Sequence, residues 1–430
     1  MIPVILSFGV LLALIALGIP IGLAMISIGL AGLYFVGTLN SALAQMTLVY
    51  WSEGTSFLLL SLPFYILMGN LIHHTGIARS LYRSASLWLN WLPGGLAIAS
   101  VFACAGFGAV SGSSAATART MGGIVIPEMK RYGYGMRLGT GVMSASGTLG
   151  ILIPPSIIMV FYGLMTETSI GDLFVAGIVP GICISIIFAL IVLITAAIRP
   201  SEVGRRIDPA SFTTRDMLIS LFEVLPVLGI FAVILGGLYL GVFTPTEASA
   251  IGVVAVLLYG ALSRKLSPAA VRNALTDSAL TTAMLFLIIV GGYLFTRFLA
   301  QTGLMGTILG FMNSLDLNYW EFIIAVTILY LVLGCILDLF GMLILTVPIL
   351  FPFAMSLGID PVWFGIYIVI VAEVALVTPP IGINVYIINA VAKDVPLGTI
   401  FRGCIPFVAG MLLFIAALAV WPEIALFAIR

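Results

Sequence analysis

Two double prolines inside apolar segments constrain this chain more than any other feature of its sequence. Pro154-Pro155 and Pro379-Pro380 lie 225 positions apart, and apolar residues flank both pairs. Proline lacks a backbone donor and breaks a helix. At membrane depth, a broken helix is tolerated only where protein buries it or where it lines a cavity. Matching breaks in two halves of a membrane protein indicate the binding site of a secondary transporter.

The composition agrees with a membrane protein. Hydrophobic residues make up 62% of the chain and charged residues 8%, against about 25% charged in globular proteins. Apolar stretches of about 20 residues, long enough to span a bilayer, recur along the sequence. The net charge of zero gives no indication of nucleic-acid binding. We therefore predict an all-α polytopic membrane protein that is embedded in the lipid bilayer.

The longest polar interval divides the chain into two halves. Residues 199–216 hold seven charges in 18 positions, and four of these are arginines. We predict a first repeat at 1–198, a linker at 199–216 and a second repeat at 217–430. Basic loops favour the cytoplasm. Basic stretches of one half match neutral or acidic stretches of the other, so we predict inverted repeats and a cytoplasmic linker.

Each half also has a glycine-rich segment that is too broken for a plain membrane-spanning helix. Close packing of helices through small residues is one explanation. The alternative is a re-entrant helical hairpin, which the following Pro-Pro break favours in each half. We predict hairpins at about 95–125 and 322–357, with tips at about 106–114 and 334–341, and broken helices at about 140–165 and 364–392.

Small hydroxyl residues and glycines surround the first break. A broken helix frees carbonyl groups at one helix end and amide groups at the other. Freed carbonyls and hydroxyls suit a sodium ion, whereas amides at a positive helix end suit a carboxylate. The alternative is a helix interface rich in Ser and Gly. The predicted substrate contacts come from both halves, and they are Ser113, Thr117, Arg119, Ser156, Gly382 and Asn384.

Carboxylates in apolar segments are costly and indicate function by default. Asp338 could ligate sodium, carry a proton, cap a hairpin helix or form a structural pair. Glu373 could pair with another buried polar group. Glu247 follows Pro245 and is expected to cap a helix. Arg119 lies five residues after Ser114, so it either contacts a substrate carboxylate or extends to the cytoplasmic interface.

Motifs of other functions are missing from the sequence. There is no phosphate-binding loop of the GxxxxGK[ST] type and no HExxH metal motif, so the sequence predicts neither ATP hydrolysis nor zinc-dependent proteolysis. We predict that the chain is not an enzyme and that it uses no organic cofactor. An intramembrane hydrolase is an alternative, but it would leave the repeat unexplained.

Five motifs resemble the large membrane subunit of TRAP (tripartite ATP-independent periplasmic) transporters. They are GAVSGSSAATA at 108–118, IPEM at 126–129 followed by GY at 133–134, GILIPPS at 150–156, FTPTEA at 243–248 and TVPIL at 346–350. The resemblance covers essentially the whole chain. It implies a bacterial inner-membrane, sodium-coupled importer of small organic acids with an elevator-type fold, made of a scaffold and a transport domain. It also implies two partners, a small membrane subunit and a periplasmic solute-binding protein.

The resemblance further implies two sodium sites, one at each hairpin tip. Carried onto this chain, the first site draws on Ser111, Ser114, Gly147, Gly150 and Pro154. The second draws on Gly334, Asp338, Gly341 and Thr378. The expected substrate is a dicarboxylate, a sugar acid such as sialic acid, or a keto acid. A self-sufficient sodium/dicarboxylate symporter and an anion channel are the alternatives within transport.

Overall fold

The computed structural model describes residues 2–208, 212–303, 306, 310 and 317–429, with side chains from residue 6 onwards. The predicted linker and the predicted second repeat therefore include residues outside this set, at 209–211 and between 304 and 316. The regular elements of the described residues are all helical. This confirms the prediction of an all-α protein.

The first half contains eleven α-helices and one short 3-10 turn among the described residues. They are α1 (Ile2–Ala16), α2 (Ile21–Val36), α3 (Leu39–Gly54), α4 (Ser61–His74), α5 (Ile77–Leu89), α6 (Gly95–Ser111), α7 (Ser114–Arg131), α8 (Met136–Ser146), α9 (Leu149–Leu152), α10 (Ile157–Thr166), α11 (Ile170–Ile198) and the turn Pro200–Glu202.

The second half contains nine further α-helices among the described residues. They are α12 (Thr214–Tyr239), α13 (Pro245–Leu262), α14 (Pro268–Gln301), α15 (Tyr319–Leu333), α16 (Leu339–Ser356), α17 (Pro361–Ala375), α18 (Ile383–Val391), α19 (Leu397–Val420) and α20 (Glu423–Leu426).

Polar residues at the starts of helices explain several of these boundaries. Thr244 accepts a hydrogen bond from the backbone N–H of Glu247, and the Glu247 carboxylate accepts one from the backbone N–H of Thr244. This reciprocal capping box satisfies two amides that a helix leaves unpaired. The expected capping role of Glu247 is therefore confirmed. Asn318 and Glu321 form the same arrangement at the start of α15.

Several helices are long and apolar enough to cross a bilayer. Six helices of the described residues meet this test, and the bent pair formed by residues 136–152 and 157–166 raises the number to seven. The two parts of that pair differ in direction by 46°. In α12 only 28% of the most apolar window is buried within the protein. Its exposed apolar side chains are suited to contact with lipid, so this is a multi-pass membrane protein.

Glycines allow helices of the two halves to approach closely outside the hairpins. A methyl group on Gly22 of α2 would lie 2.8 Å from the backbone N of Ile288 in α14. Seven residues on, a methyl group on Gly29 would lie 2.8 Å from the backbone N of Phe295. The same face of α2 therefore packs directly on the backbone of α14. Helix α4 also packs on α13 and α14.

Hairpins and broken helices of the two halves pack on one another. In each half, a helical hairpin (α6–α7 or α15–α16) precedes a broken helix (α8–α10 or α17–α18). The last part of the first broken helix, α10, packs on the second hairpin through α16. The last part of the second broken helix, α18, packs on the first hairpin through α7. This exchange links the two halves into one body.

The described part of the linker packs on the loop that follows the first hairpin. The backbone N–H of Arg205 donates to Tyr132 O at 2.8 Å, and that of Gly135 donates to Glu202 O at 2.9 Å. The Asn90 side chain exchanges two hydrogen bonds with the backbone of Ile207, at 2.7 and 2.8 Å. The start of the linker is thus fixed to the first half.

Candidate ion and substrate site at the hairpin tips

The first hairpin turns at Gly112 and Ser113, at the far end of the predicted tip. Gly112 has a φ of 62°, a left-handed conformation that glycine adopts without steric cost. Ser113 then caps α7, because its hydroxyl accepts a hydrogen bond from the backbone N–H of Ala116 at 3.3 Å. The carbonyl end of α6 and the amide end of α7 therefore meet at this tip.

The first break lies directly against this tip. Helix α9 ends at Leu152, and the Pro154-Pro155 bond that follows is cis. Ser156 caps α10 by accepting from the backbone N–H of Met159 at 3.3 Å. The next amide, of Ile157, donates to Gly112 O at 3.4 Å. A backbone hydrogen bond thus joins the hairpin tip to the broken helix of the same half.

Two glycines bring the break close to oxygen atoms of the hairpin. A methyl group on Gly150 would overlap the hydroxyl of Thr117 and would lie 2.9 Å from Ser113 O. One on Gly147 would lie 3.4 Å from Ser114 O. The hydroxyls of Ser111 and Thr117 are hydrogen-bonded at 2.9 Å. Hydroxyl and carbonyl oxygens therefore gather in a space that side chains at the two glycines would fill.

The second hairpin has a similar tip. The Asp338 carboxylate accepts a hydrogen bond from the backbone N–H of Gly341 at 3.0 Å and so caps α16. Gly334 contacts Ala375 at the end of α17 so closely that a methyl group on the glycine would overlap it. The Cys335 thiol faces Pro379 O at 3.9 Å. This tip also lies against the break of its own half, and Asp338 organises it.

The second break keeps its two helical parts connected. The Thr378 hydroxyl donates to Val374 O at 2.6 Å, and the Pro379-Pro380 bond is cis. Gly382 has a φ of 54°. The backbone N–H of Asn384, at the start of α18, donates back to Leu376 O at 3.2 Å. The predicted second set of residues therefore lies within one tip and one break.

The two tips differ in their access to the surface. Ser111, Ser114 and Thr117 are buried at the first tip, and so are Pro154 and Ser156 at the first break. At the second, Pro379, Pro380 and Ile381 are exposed, and Ile336 of the tip is 48% exposed. In this conformation the second tip is open to the surroundings and the first is closed.

Glu373 also belongs to this region, although the expectation from the sequence was only that it could pair with another buried polar group. It lies near the end of α17, is 1% exposed, and its carboxyl group is next to the Ser114 hydroxyl of the first tip. Neither of its oxygens makes a hydrogen bond of ordinary geometry within the described residues. In the sequence, the indication of a functional role for Glu373 is that it is an isolated acid in an otherwise apolar helix.

Arg119 lies on a different face of α7 from the residues that contact the break. Its side chain is exposed, like Ala115 one turn earlier, whereas Ser114 and Ala118 are buried. His73 of α4 lies near Arg119 and contacts the neighbouring Thr120 hydroxyl through Nδ1 at 2.8 Å. The structure therefore does not bring Arg119 to the other predicted substrate residues.

The available ligands are oxygen atoms from neutral groups and single carboxylates. Within the described ranges, no group of three or more His, Cys, Asp or Glu could hold a metal ion. Hydroxyl, carbonyl and carboxylate oxygens suit hard cations rather than transition metals. The donor set at both tips is therefore consistent with sodium.

An ion pair connects the first hairpin to the loop after the second break. Lys130 Nζ lies 2.5 Å from Asp394 Oδ1. The hydrogen bond from this ammonium group lowers the pKa of the Asp394 carboxyl from its ordinary value. Both side chains are exposed, so the pair lies at the edge of the hairpin–helix body and contributes little to its stability.

Paired hairpins and broken helices, in a chain with at least six apolar spans among its described residues, define a multi-pass membrane protein of the transporter class. Residues 8–424 match the family model described as the tripartite ATP-independent periplasmic transporter, DctM component. The chain belongs to this family, as the motifs suggested.

Relatives and a solved structure agree with this membership. The C4-dicarboxylate TRAP transporter large permease protein DctM of Pseudomonas aeruginosa is 36% identical over 406 residues, which cover 93% of each chain. The sialic acid TRAP transporter large permease protein SiaM of Vibrio cholerae is 30% identical over 96% of each chain. The YdaH transporter of Alcanivorax borkumensis has a similar fold, with a TM-score of 0.66, 16% identity and coverage of 90% of this chain and 89% of that one. These names describe transport proteins rather than enzymes.

Proposed function

We propose that this chain is the membrane permease of a three-component importer that carries a small organic anion together with sodium. A periplasmic solute-binding protein delivers the substrate, and a small membrane subunit completes the complex in the bacterial inner membrane. The observation that supports this proposal best is the contact of each hairpin tip with the helix break of its own half. In a membrane protein, helix ends of opposite polarity that lie beside one another can bind ions and charged substrates.

Sodium is proposed to bind at the two tips. At the first, the oxygens of Ser111 and Ser114 and the backbone at Gly147, Gly150 and Pro154 are the proposed ligands. The closeness of Thr117 Oγ1 and Ser113 O to Gly150 supports this proposal, because any larger residue would fill that space. At the second, the proposed ligands come from Gly334, Asp338, Gly341 and Thr378. A bound cation offsets the cost of burying carbonyl oxygens and a carboxylate.

The substrate is proposed to bind between the two breaks. Amides at the starts of α7, α10 and α18 present the positive ends of helix dipoles, which favour an anionic group. The proposed contacts are Ser113, Thr117, Ser156, Gly382 and Asn384, whereas Arg119 would need a change of conformation to join them. C4-dicarboxylates and sialic acid, which the names of two relatives contain, are both carboxylates. We propose a carboxylate of this kind as the substrate.

Transport is proposed to follow an elevator mechanism with inverted repeats. The hairpins and broken helices, which exchange contacts between the halves, would form the moving transport domain. Helices α2, α4, α13 and α14 would belong to the scaffold, in which α2 packs on α14 and α4 packs on both α13 and α14. Sodium drives such a movement only if it binds one state more tightly than the other.

The test is uptake into proteoliposomes that contain the chain and the small membrane protein encoded beside it. Labelled C4-dicarboxylates, sialic acid and keto acids are offered with the neighbouring periplasmic binding protein, with and without an inward sodium gradient. The proposal predicts uptake that requires both the gradient and the binding protein. Uptake by the chain alone would favour a self-sufficient symporter. Flux that is independent of sodium and far faster than a carrier would favour a channel.

A further inference from the structure

Buried polar atoms without partners are concentrated at the two helix breaks. Within the described residues, eight buried side-chain atoms lack a hydrogen-bond partner, and five of them belong to Ser146, Glu373 and Asn384. Ser146 and Asn384 have no exposed surface, and Glu373 has 1%. Buried polar groups are nearly always paired. Five unpaired atoms at the breaks therefore point to a ligand that these side chains bind.

Contacts along α7 and α18 show which residues lie level with one another. Gly122 of α7 faces Ile388 of α18, and further along both segments Lys130 pairs with Asp394. The two helices therefore run in the same direction. One turn back towards the tip, Asn384 comes level with Ala118 of α7.

The same part of α7 is close to the other two unpaired residues. Ala118 lies next to Gly147, because a methyl group on Gly147 would be 2.9 Å from Ala118 Cβ. Gly147 directly follows Ser146 in the chain. One turn before Ala118, Ser114 lies next to the Glu373 carboxyl group. Ser114 and Ala118 of the first hairpin thus lie beside the segments that carry the unpaired residues Glu373, Ser146 and Asn384.

Among the described residues, Glu373 has no basic partner. Each ion pair of the described residues lies elsewhere, and none contains Glu373. The residues beside it in α17 are apolar and buried. An isolated carboxylate is costly to bury unless a cation neutralises it. The sodium ligands proposed at the first tip are neutral and all come from the first half, so that site lacks a negative charge.

We propose that Glu373 of the second half completes the sodium site at the first hairpin tip, with Asn384 as a neighbouring oxygen donor. A single bound sodium ion would then bridge the two halves and be neutralised by Glu373. In this conformation the Asn384 side chain has no exposed surface, so it would serve the ion here and would contact the substrate only after a conformational change. This inference rests on the proposed sodium-coupled function.

The test is thermal unfolding of the purified chain in detergent, in sodium chloride or choline chloride at equal ionic strength. Wild-type protein is expected to unfold at a higher temperature as sodium is added, because an ion that binds only the folded state stabilises it. For Glu373→Gln we expect at least a tenfold increase in the sodium concentration that gives half of this effect. In choline, Glu373→Gln should unfold at a temperature no lower than wild type, because glutamine has nearly the same shape and carries no charge that must be buried.

Two further variants keep the result interpretable. Ser146→Ala should weaken the sodium response, whereas Ser100→Ala should not, since Ser100 is equally buried but donates its hydroxyl to Leu96 O. If Glu373→Gln keeps the wild-type sodium response, the inference is wrong while the proposed function stands. If wild-type protein shows neither a sodium-dependent shift nor sodium-dependent uptake, the proposed function itself is wrong. If Glu373→Gln unfolds at a lower temperature in choline, a structural role of Glu373 replaces the inference.

Discussion

A methyl group at Gly150 would enter the space between the first hairpin and the first break. It would overlap Thr117 Oγ1 and lie 2.9 Å from Ser113 O and 3.0 Å from Thr117 Cβ. Thr117 cannot simply rotate away, because its β-branched side chain is stiff and its hydroxyl holds Ser111 at 2.9 Å. Gly150→Ala must therefore move the hairpin tip away from the break.

The expected effect follows from the cost of overpacking. Adding a methyl group to a tightly packed interior costs about 1–3 kcal/mol. If this cost falls on the arrangement that binds sodium, the sodium concentration for half-maximal uptake rises about 5- to 150-fold, because 1.4 kcal/mol corresponds to a factor of ten. The maximal rate at saturating sodium should change less than this concentration.

The assay is initial uptake into proteoliposomes over a range of sodium concentrations. Gly123→Ala is the matched control, because Gly123 lies in the same hairpin and a methyl group there meets nothing within 4 Å. That control should leave the sodium dependence unchanged. A Gly150→Ala protein with wild-type sodium dependence would refute the assignment of sodium to this space.

Three further predictions concern individual polar contacts. Asp338→Asn keeps a good helix cap, so we expect a near-normal unfolding temperature but a higher sodium concentration for half-maximal uptake. If the variant has the sodium dependence of wild type, Asp338 acts only as a helix cap. Asp360→Ala removes a cap that accepts from Val362 N and Trp363 N, which should destabilise the protein by about 0.5–2 kcal/mol in thermal unfolding without changing its sodium response. Lys130→Gln should raise the pKa of the Asp394 carboxyl towards its ordinary value of 3.8, and carbon NMR can measure this pKa. Because the pair lowers the pKa of Asp394 in the folded protein, it stabilises the fold above pH 3.8. This stabilisation is lost as the pH falls through the pKa of the folded protein.

The positions of the helices around the candidate site could be predicted from the sequence. Helices lie where both hairpins and both broken helices were expected, and their ends differ from the predicted bounds by a few residues. Proline and glycine determine these features locally, so they can be recognised without tertiary information. The first hairpin extends to Arg131 rather than to about residue 125, because α7 continues through Pro127. Gly133, with a φ of 76°, lies just beyond its end.

Contacts between the halves could not be predicted in the same way. The packing of α18 on α7 joins segments that are far apart in the sequence, and no local pattern specifies it. The position of Glu373 beside Ser114 depends on this packing. Glu373 could therefore be recognised as an unusual acid, but its neighbours could not be named.

The direction of Arg119 was available from helical periodicity. In a helix, residues four apart lie on one face, and Arg119 shares its face with Ala115 rather than with Ser114 and Ala118. Its spacing from Ser114 is five residues, which turns it away from the break. The periodicity of the hairpin helix therefore favoured the exposed position over contact with substrate in this conformation.

The proposed movement of a transport domain against a scaffold is tested most directly by cross-linking. His73 of α4 and Thr120 of α7 are in contact across the proposed boundary, with Nδ1 and Oγ1 2.8 Å apart. Cysteines at these positions, in a protein without its four native cysteines, can be joined by a bifunctional thiol reagent that contains a disulfide, and the link can be cleaved again by reduction. Lys130 and Asp394, which pair within the proposed transport domain, provide the control positions.

The elevator mechanism predicts that the cross-link between positions 73 and 120 abolishes sodium-driven uptake and that reduction restores it. The cross-link between positions 130 and 394 should leave uptake intact, since both residues would move together. Full uptake with positions 73 and 120 cross-linked would contradict the account, because the hairpins would then work without moving past α4.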